Sequence, residues 1–171
     1  MDEGNNIFRV GLDRSVVMGL YTTVISLSMI YADLVPPLAI AAMVLLLGGP
    51  VVLYLMQRRV FVAGEGDYGM WDLWRLGVVA IFFGTIFTLL FTYGVLEYLR
   101  PGYMYEQIEM LLETYKQIPE LKDSQTVEAL KMMLEEDLVP SPFSYALNMF
   151  VMTNFSGMFM GLITASLASR R

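Results

Sequence analysis

Long apolar runs alternate with short polar breaks along this chain. Residues 15–32, 34–57, 76–96 and 138–169 contain no Asp, Glu, Lys or Arg. At 1.5 Å of rise per residue, roughly 20 mostly apolar residues carry a helix across about 30 Å of hydrocarbon. Each run therefore predicts a membrane span, at about 13–32, 35–57, 72–98 and 143–168. The last run is longer than a span needs, and Pro140 and Pro142 set the start of its helix. Only Asp33 and the Leu34-Val35-Pro36-Pro37 turn separate the first two spans, which makes them antiparallel neighbours. The second span carries Gly48-Gly49-Pro50 at its middle. Pro50 has no N–H and crowds a carbonyl one turn back, so a kink is expected there, serving helix packing or the wall of a cavity. The first run reads as a retained span and not a cleaved leader. It has no clear small-x-small cleavage site, and Asp2, Glu3 and Asp13 interrupt the basic start a leader needs.

The pattern changes between the third and fourth spans. Residues 99–144 hold nine acidic and four basic residues, five of the chain's six net negative charges. Apolar positions recur there at helical spacing. Met104, Ile108, Leu111, Leu112 and Tyr115 share one face of a helix near 103–117. Val127, Leu130, Met133, Leu134 and Leu138 share one face of a second, near 124–138. Ile118-Pro119-Glu120 separates them, and Asp123 or Ser124 can cap the second. The expected architecture is an all-α integral membrane protein: four transmembrane helices, with an outer amphipathic helical hairpin (about 100–141) between helices 3 and 4. Residues 1–171 form a single membrane domain in this reading.

Composition narrows the chemistry. Of the 171 residues, 56% are hydrophobic and only 16% are charged. Soluble domains run nearer 45–50% apolar and 25% charged. The mean hydropathy of +0.56 points the same way. The chain has neither His nor Cys. That excludes Ser-His-Asp and Cys-His nucleophile systems, His or Cys zinc sites, iron–sulfur clusters and disulfides. With 17 acidic residues against 11 basic ones, it lacks the basic face a nucleic-acid binder needs, and no nucleic-acid partner is expected. Glu106, Glu109 and Glu113 share a helix side, and Glu135, Glu136 and Asp137 cluster. Such oxygen ligands suit hard cations. The spacing is not that of an EF-hand, and a solvated acidic face with Glu113–Lys116 and Glu128–Lys131 pairs accounts for it. The loop at 64–75 has three glycines but no phosphate-loop pattern. No metal, cofactor or catalytic residue is assigned, and the chain is not expected to be an enzyme.

Basic residues orient the spans. Arg9, Arg14, Arg58, Arg59, Arg75, Arg170 and Arg171 fall on one side, whereas Arg100, Lys116, Lys122 and Lys131 are spread over the long insert on the other. Both termini are therefore expected inside and the 99–144 insert outside. Aromatic residues mark the two interfaces: Tyr54, Tyr68, Trp71 and Trp74 at one, Tyr31, Tyr98, Tyr103 and Tyr145 at the other.

Three spans carry small residues at every fourth position, on one side of a helix. They are Gly11, Ser15, Gly19 and Thr23; Ala80, Gly84, Thr88 and Thr92; and Gly157, Gly161, Ala165 and Ser169. Lipid supplies no hydrophobic drive between helices, so close approach at small residues does the packing. These stripes are expected to form internal seams of a four-helix bundle or an interface with a partner, and three exceed what a minimal bundle requires. Asp33, Glu97, Asn148 and Asn154 are the polar groups in or at the ends of the spans. They define a candidate polar site; the plainer readings are a Glu97–Arg100 pair and Asn bonds between helices.

The order of parts resembles a known family. A Gly/Ser-rich first span and a second span are followed by the loop Gly69-Met-Trp-Asp-Leu-Trp-Arg-Leu-Gly77. A third span then ends Tyr98-Leu-Arg-Pro-Gly-Tyr103, before a Glu/Met-rich helical insert and a small-residue-rich last span with a basic end. This is similar to the uncharacterised four-span membrane family of Bacteroidota known as domain of unknown function 4199. The resemblance implies a bacterial inner-membrane protein with cytoplasmic termini and a periplasmic insert. It carries over no catalytic residues. Members are often encoded beside a family-two glycosyltransferase. The expectation is a non-catalytic accessory or scaffold subunit, associated with a membrane glycosyltransferase acting on polyprenyl-phosphate sugars. The alternative is a small transporter or lipid-binding membrane protein. Expected partners are the lipid bilayer and another membrane protein or a homo-oligomer.

Overall fold

A computed structural model describes residues 3–118 and 124–170, without the side chains of 3–6. The described residues form six α-helices and no strand: α1 (Glu3–Ile30), α2 (Pro37–Ala63), α3 (Met70–Gly94), α4 (Tyr103–Gln117), α5 (Gln125–Glu135) and α6 (Pro142–Ala168). Among them α2, the stretch Met70–Leu99 and α6 are long and apolar enough to cross a membrane. The chain divides into two compact units. The first holds α1, α2, most of α3 and most of α6; the second is Tyr93–Leu147.

Helix ends follow local chemistry. The first helix starts about ten residues before the charge-free run, because Asn5, Asn6 and Arg9 are compatible with helix and nothing breaks it there. Pro36 and Pro37 open α2, where their missing N–H groups cost nothing. That helix runs on through Pro50 and ends in a tight turn, with Glu65 and Gly66 at positive φ. The Asp72 carboxylate then accepts from the Gly69 N–H at 3.1 Å and ties the entry to α3. After Gly94 the helix widens into a five-residue π turn, Val95–Leu99, in which the Arg100 N–H reaches back five residues to the Val95 carbonyl at 2.9 Å. Pro101 then ends it. Ser141 accepts from the Ser144 N–H at 3.2 Å and caps α6, with Pro142 at its first position.

In the first unit, the core joins all four of its helices: Ile7 and Met18 from α1, Leu53, Met56, Val60 and Phe61 from α2, Leu73, Leu76, Ala80 and Ile81 from α3, and Ala165 and Ala168 from α6. The tightest contact is between α1 and α3. A Cβ on Gly19 would lie 2.9 Å from the Gly84 carbonyl oxygen, and one on Gly84 would lie 2.7 Å from the Gly19 nitrogen and 2.8 Å from the Ser15 oxygen. Here backbone meets backbone, and no flexible side chain can yield. Two turns before Gly19, a Cβ on Gly11 would strike Val79 at 2.9 Å.

In the second unit α4 and α5 lie against each other. Met104, Ile108 and Leu112 of α4 and Val127 of α5 are buried. Ser124 caps α5, accepting from the Val127 N–H at 3.4 Å. The break at Pro119-Glu120 and the candidate cap Asp123 lie outside the described residues.

Glycine substitutions separate the two kinds of position. Gly84→Leu is expected to cost about 3 kcal/mol or more, because no neighbour can move aside. A Cβ on Gly94 meets nothing within 4 Å, and its φ of −59° is helical. Gly94→Ala should therefore leave stability unchanged or raise it by up to about 1 kcal/mol. Unfolding of the purified protein in mixed detergent micelles measures both.

Candidate functional site: polar seams and grooves among apolar helices

The small-residue positions of α1 and α3 lead into a ladder of hydroxyls. Thr88 sits one turn beyond Gly84. Its Oγ1 is 3.2 Å from the Gly19 carbonyl, 2.7 Å from Thr22 Oγ1 and 3.1 Å from Thr23 Oγ1. One arrangement satisfies all three: Thr88 donates to the carbonyl, and the two α1 threonines donate to Thr88. A turn further, Ser26 and Thr92 bond at 2.7 Å, both buried. Interhelical bonds of this kind contribute about 0.6 kcal/mol each in a membrane. Thr22 and Ser26 lie outside the four-residue spacing that marked the seam in the sequence. Their only signal was being hydroxyls inside an apolar run.

Two other seams use the remaining small residues. The Asn154 amide on α6 donates to Thr85 Oγ1 at 2.8 Å and to the Phe150 carbonyl at 2.9 Å. A Cβ on Gly157 would sit 2.9 Å from Ile81 Cδ1 of α3, while one on Gly161 would meet only Trp74 and Leu53, at 3.7 and 3.9 Å. The Trp74 indole N–H donates to the Met158 carbonyl at 3.1 Å. Ala165 is fully buried. Asn148, by contrast, is exposed, as are Asp33 and Glu97. Arg100 pairs with Glu106 at 2.5 Å. The structure thus brings Asn154 into the helix seam with Thr85 and leaves Asn148 on the exposed side of the same helix. Neither Glu113–Lys116 nor Glu128–Lys131 closes an ion pair among the described residues.

Gln57 is the polar group that spacing did not single out. It lies at the end of the charge-free run of α2 and is fully buried. Its Nε2 donates to the Leu73 carbonyl at 3.1 Å and the Gly161 carbonyl at 3.2 Å, so one amide joins α2, α3 and α6. Gly77 makes room for it, since a Cβ there would be 2.8 Å from Nε2. The Gln57 Oε1 has no partner among the described residues. Next along α2, the Arg58 guanidinium donates to the Ala168 and Arg170 carbonyls at 2.9 and 2.7 Å. It satisfies carbonyls that the end of α6 leaves open.

Between these seams lie grooves. One is about 400 Å³, with Met18, Tyr21 and Ile25 of α1, Leu47 and Pro50 of α2, and Gly157 of α6 among its lining. These residues lie near the middles of their helices, and the lining is mainly apolar. The Tyr21 hydroxyl donates to the Leu45 carbonyl, close to where Pro50 leaves the Leu46 carbonyl without its usual N–H. A second groove of about 180 Å³ lies between α1 and α2, bounded by Arg14, Val17, Val52, Leu55, Met56 and Arg59. Among the described residues no group of three acids is placed to hold a metal ion.

In the second unit, the exposed Tyr105 hydroxyl donates to the Asp137 carboxylate, from α4 to the residues just after α5. That bond, with desolvation and the negative charge of Asp137, raises the Tyr105 pKa above its ordinary value. Asp137 itself has a positive φ of 56°.

These observations define a protein that is helical throughout its described residues, with three helices long and apolar enough to cross a membrane, and with helices that meet through small residues, hydroxyls and amides. The chain matches the family described as protein of unknown function (DUF4199) over residues 14–170, and it belongs to that family. No curated protein and no solved structure matches it significantly.

Two tests follow from the polar contacts. Gln57→Ala should cost about 2–3 kcal/mol, from a cavity and two lost bonds, whereas Gln57→Met should cost less than about 1 kcal/mol because it keeps the volume and removes the orphaned oxygen. Detergent unfolding of both variants checks the difference. The Tyr105 bond favours the protonated phenol, so its contribution is complete below the ordinary tyrosine pKa and is lost as pH rises through the raised one. Ultraviolet titration should show a late-ionising tyrosine component that loses one phenol in Tyr105→Phe and in which one phenol shifts down in Asp137→Asn.

Proposed function

We propose that this protein is a non-catalytic accessory or scaffold subunit of a bacterial inner membrane. In this reading α1 is the fourth span. Its lower hydropathy comes chiefly from the polar start of the helix, Glu3, Asn5, Asn6, Arg9, Asp13 and Arg14; beyond it the hydroxyls of Thr22, Thr23 and Ser26 pair within the first unit, while Val16, Val17, Leu20 and Val24 expose an apolar surface suited to lipid. The arginine distribution supports cytoplasmic termini and a periplasmic 99–144 insert. The partner is a membrane enzyme, and the family resemblance suggests a glycosyltransferase acting on polyprenyl-phosphate sugars.

One observation carries the scaffold reading. The small-residue positions of α1 and α3 are spent on each other, yet the charged helix pair α4–α5 still exposes Met110, Leu111 and Met132 at 47%, 47% and 51%. Large apolar side chains on an otherwise acidic helix pair suit contact with another protein. A second reading, a lipid-binding protein or small transporter, is favoured by the mid-helix groove of about 400 Å³.

Purification from its native host in mild detergent, with crosslinking and mass spectrometry, tests the scaffold reading. A stoichiometric membrane-enzyme partner crosslinked to α4 or α5, and lost in a Met110→Glu, Met132→Glu double variant, is the expected result. Recovery of the chain alone or only with itself overturns it.

A further inference from the structure

The groove between α1 and α2 is lined by two cationic side chains and apolar walls, with no acid among its lining. Arg14 and Arg59 stand at its edges, and Val17, Val52, Leu55 and Met56 complete its walls. Both arginines sit at the ends of charge-free runs. Arg14 directly precedes residues 15–32, and Arg59 lies two positions beyond residues 34–57. If those runs occupy hydrocarbon, the two guanidiniums lie at the level of lipid phosphates. Neither has an ion-pair or hydrogen-bond partner among the described residues. Asp13, the adjacent acid on α1, is exposed and pairs with neither. The neighbouring Arg58 is different, since it is spent on the end of α6.

Two like charges on one groove repel each other, and the repulsion grows where the surroundings are apolar. An anion between them removes that cost. Guanidinium groups present forked donors that match phosphate oxygens, and the apolar walls below suit a hydrocarbon chain. A soluble anion would leave those walls unfilled, and a zwitterionic headgroup would bring its own cation to the arginines. We propose that the α1–α2 groove is a binding site for one anionic phospholipid. Its phosphate sits between Arg14 and Arg59, and an acyl chain runs along Val17, Val52, Leu55 and Met56. One turn deeper on α1, Met18 and Tyr21 border the larger groove, so the chain has apolar surface to follow. The proposal deepens the lipid-binding reading by naming the lipid class and its headgroup contacts.

Native mass spectrometry of the full chain tests it, after exchange into neutral detergent with phosphatidylglycerol and phosphatidylcholine of identical chains. The expected result is one phosphatidylglycerol retained per chain, favoured at least tenfold over phosphatidylcholine. That preference should fall at least tenfold in Arg14→Gln/Arg59→Gln and at least threefold in Arg59→Gln alone. Arg59 is exposed, so Arg59→Gln is expected to keep its fold and provides the readout should the double variant fail to fold. Arg75→Gln, on a different groove, should leave the preference unchanged. Equal retention of both lipids by the wild type, or a preference untouched by the arginine variants, overturns the site while leaving lipid binding in place. No retained lipid overturns both. A lipid-free dimer assigns the groove to a second copy and overturns the proposal as well.

Discussion

The approach of α1 to α3 at Gly19 and Gly84 is the constraint on which the first unit depends. Between helices in lipid there is no gain from excluding water, so attraction comes from dispersion and from polar groups that find partners. Both weaken steeply with distance. Two glycines facing each other let the backbones come close enough for Thr88 to reach the Gly19 carbonyl. That in turn places Thr22, Thr23, Ser26 and Thr92 within bonding range. A methyl group at either glycine would push apart every contact above it.

The other helices are held by polar groups anchored on main-chain carbonyls. Gln57 donates to carbonyls of α3 and α6, Arg58 to the end of α6, and Trp74 to the middle of α6. Carbonyls inside a helix retain a free lone pair, and those at its end have two, so such bonds leave the helix ladders intact. An amide or indole in an apolar bundle would be costly unpaired. Its partners therefore fix the rotation of each helix as well as its position. The Gln57 Oε1 has no partner among the described residues, an unmet polar atom in an otherwise apolar core.

Function, in this picture, belongs to surfaces and grooves more than to a constellation of reactive groups. The first unit spends its small residues internally and leaves apolar grooves, one of them flanked by two arginines with no partner among the described residues. The second unit carries most of the net charge and exposes apolar side chains on its helices. In the proposed scaffold reading, the first unit meets lipid and the second a partner protein, and neither contact needs an acid–base pair.

Much of the fold was legible because its causes are local. Charge-free runs of about 20 residues and their proline and serine boundaries place α2, α3 and α6 with only small shifts at their ends. Four-residue spacing marked Gly19 and Gly84 as seam residues because helical periodicity puts such positions on one side. Spacing could not say which stripe meets which, since a small residue is compatible with any close neighbour. Nor could it separate Asn154, which bonds across to Thr85, from Asn148, which is exposed: both are asparagines in the same apolar helix, half a dozen positions apart. Gln57 and the Arg14–Arg59 groove were invisible for the same reason. Their meaning lies in residues far away in the chain, Leu73 and Gly161 for one, and the facing turns of α1 and α2 for the other. The sequence alone determined which segments are helices and which of them are apolar enough for a membrane, because those are properties of consecutive residues. Only the tertiary structure decided which polar groups are spent and which are left over, because pairing depends on how each helix is rotated against its neighbours.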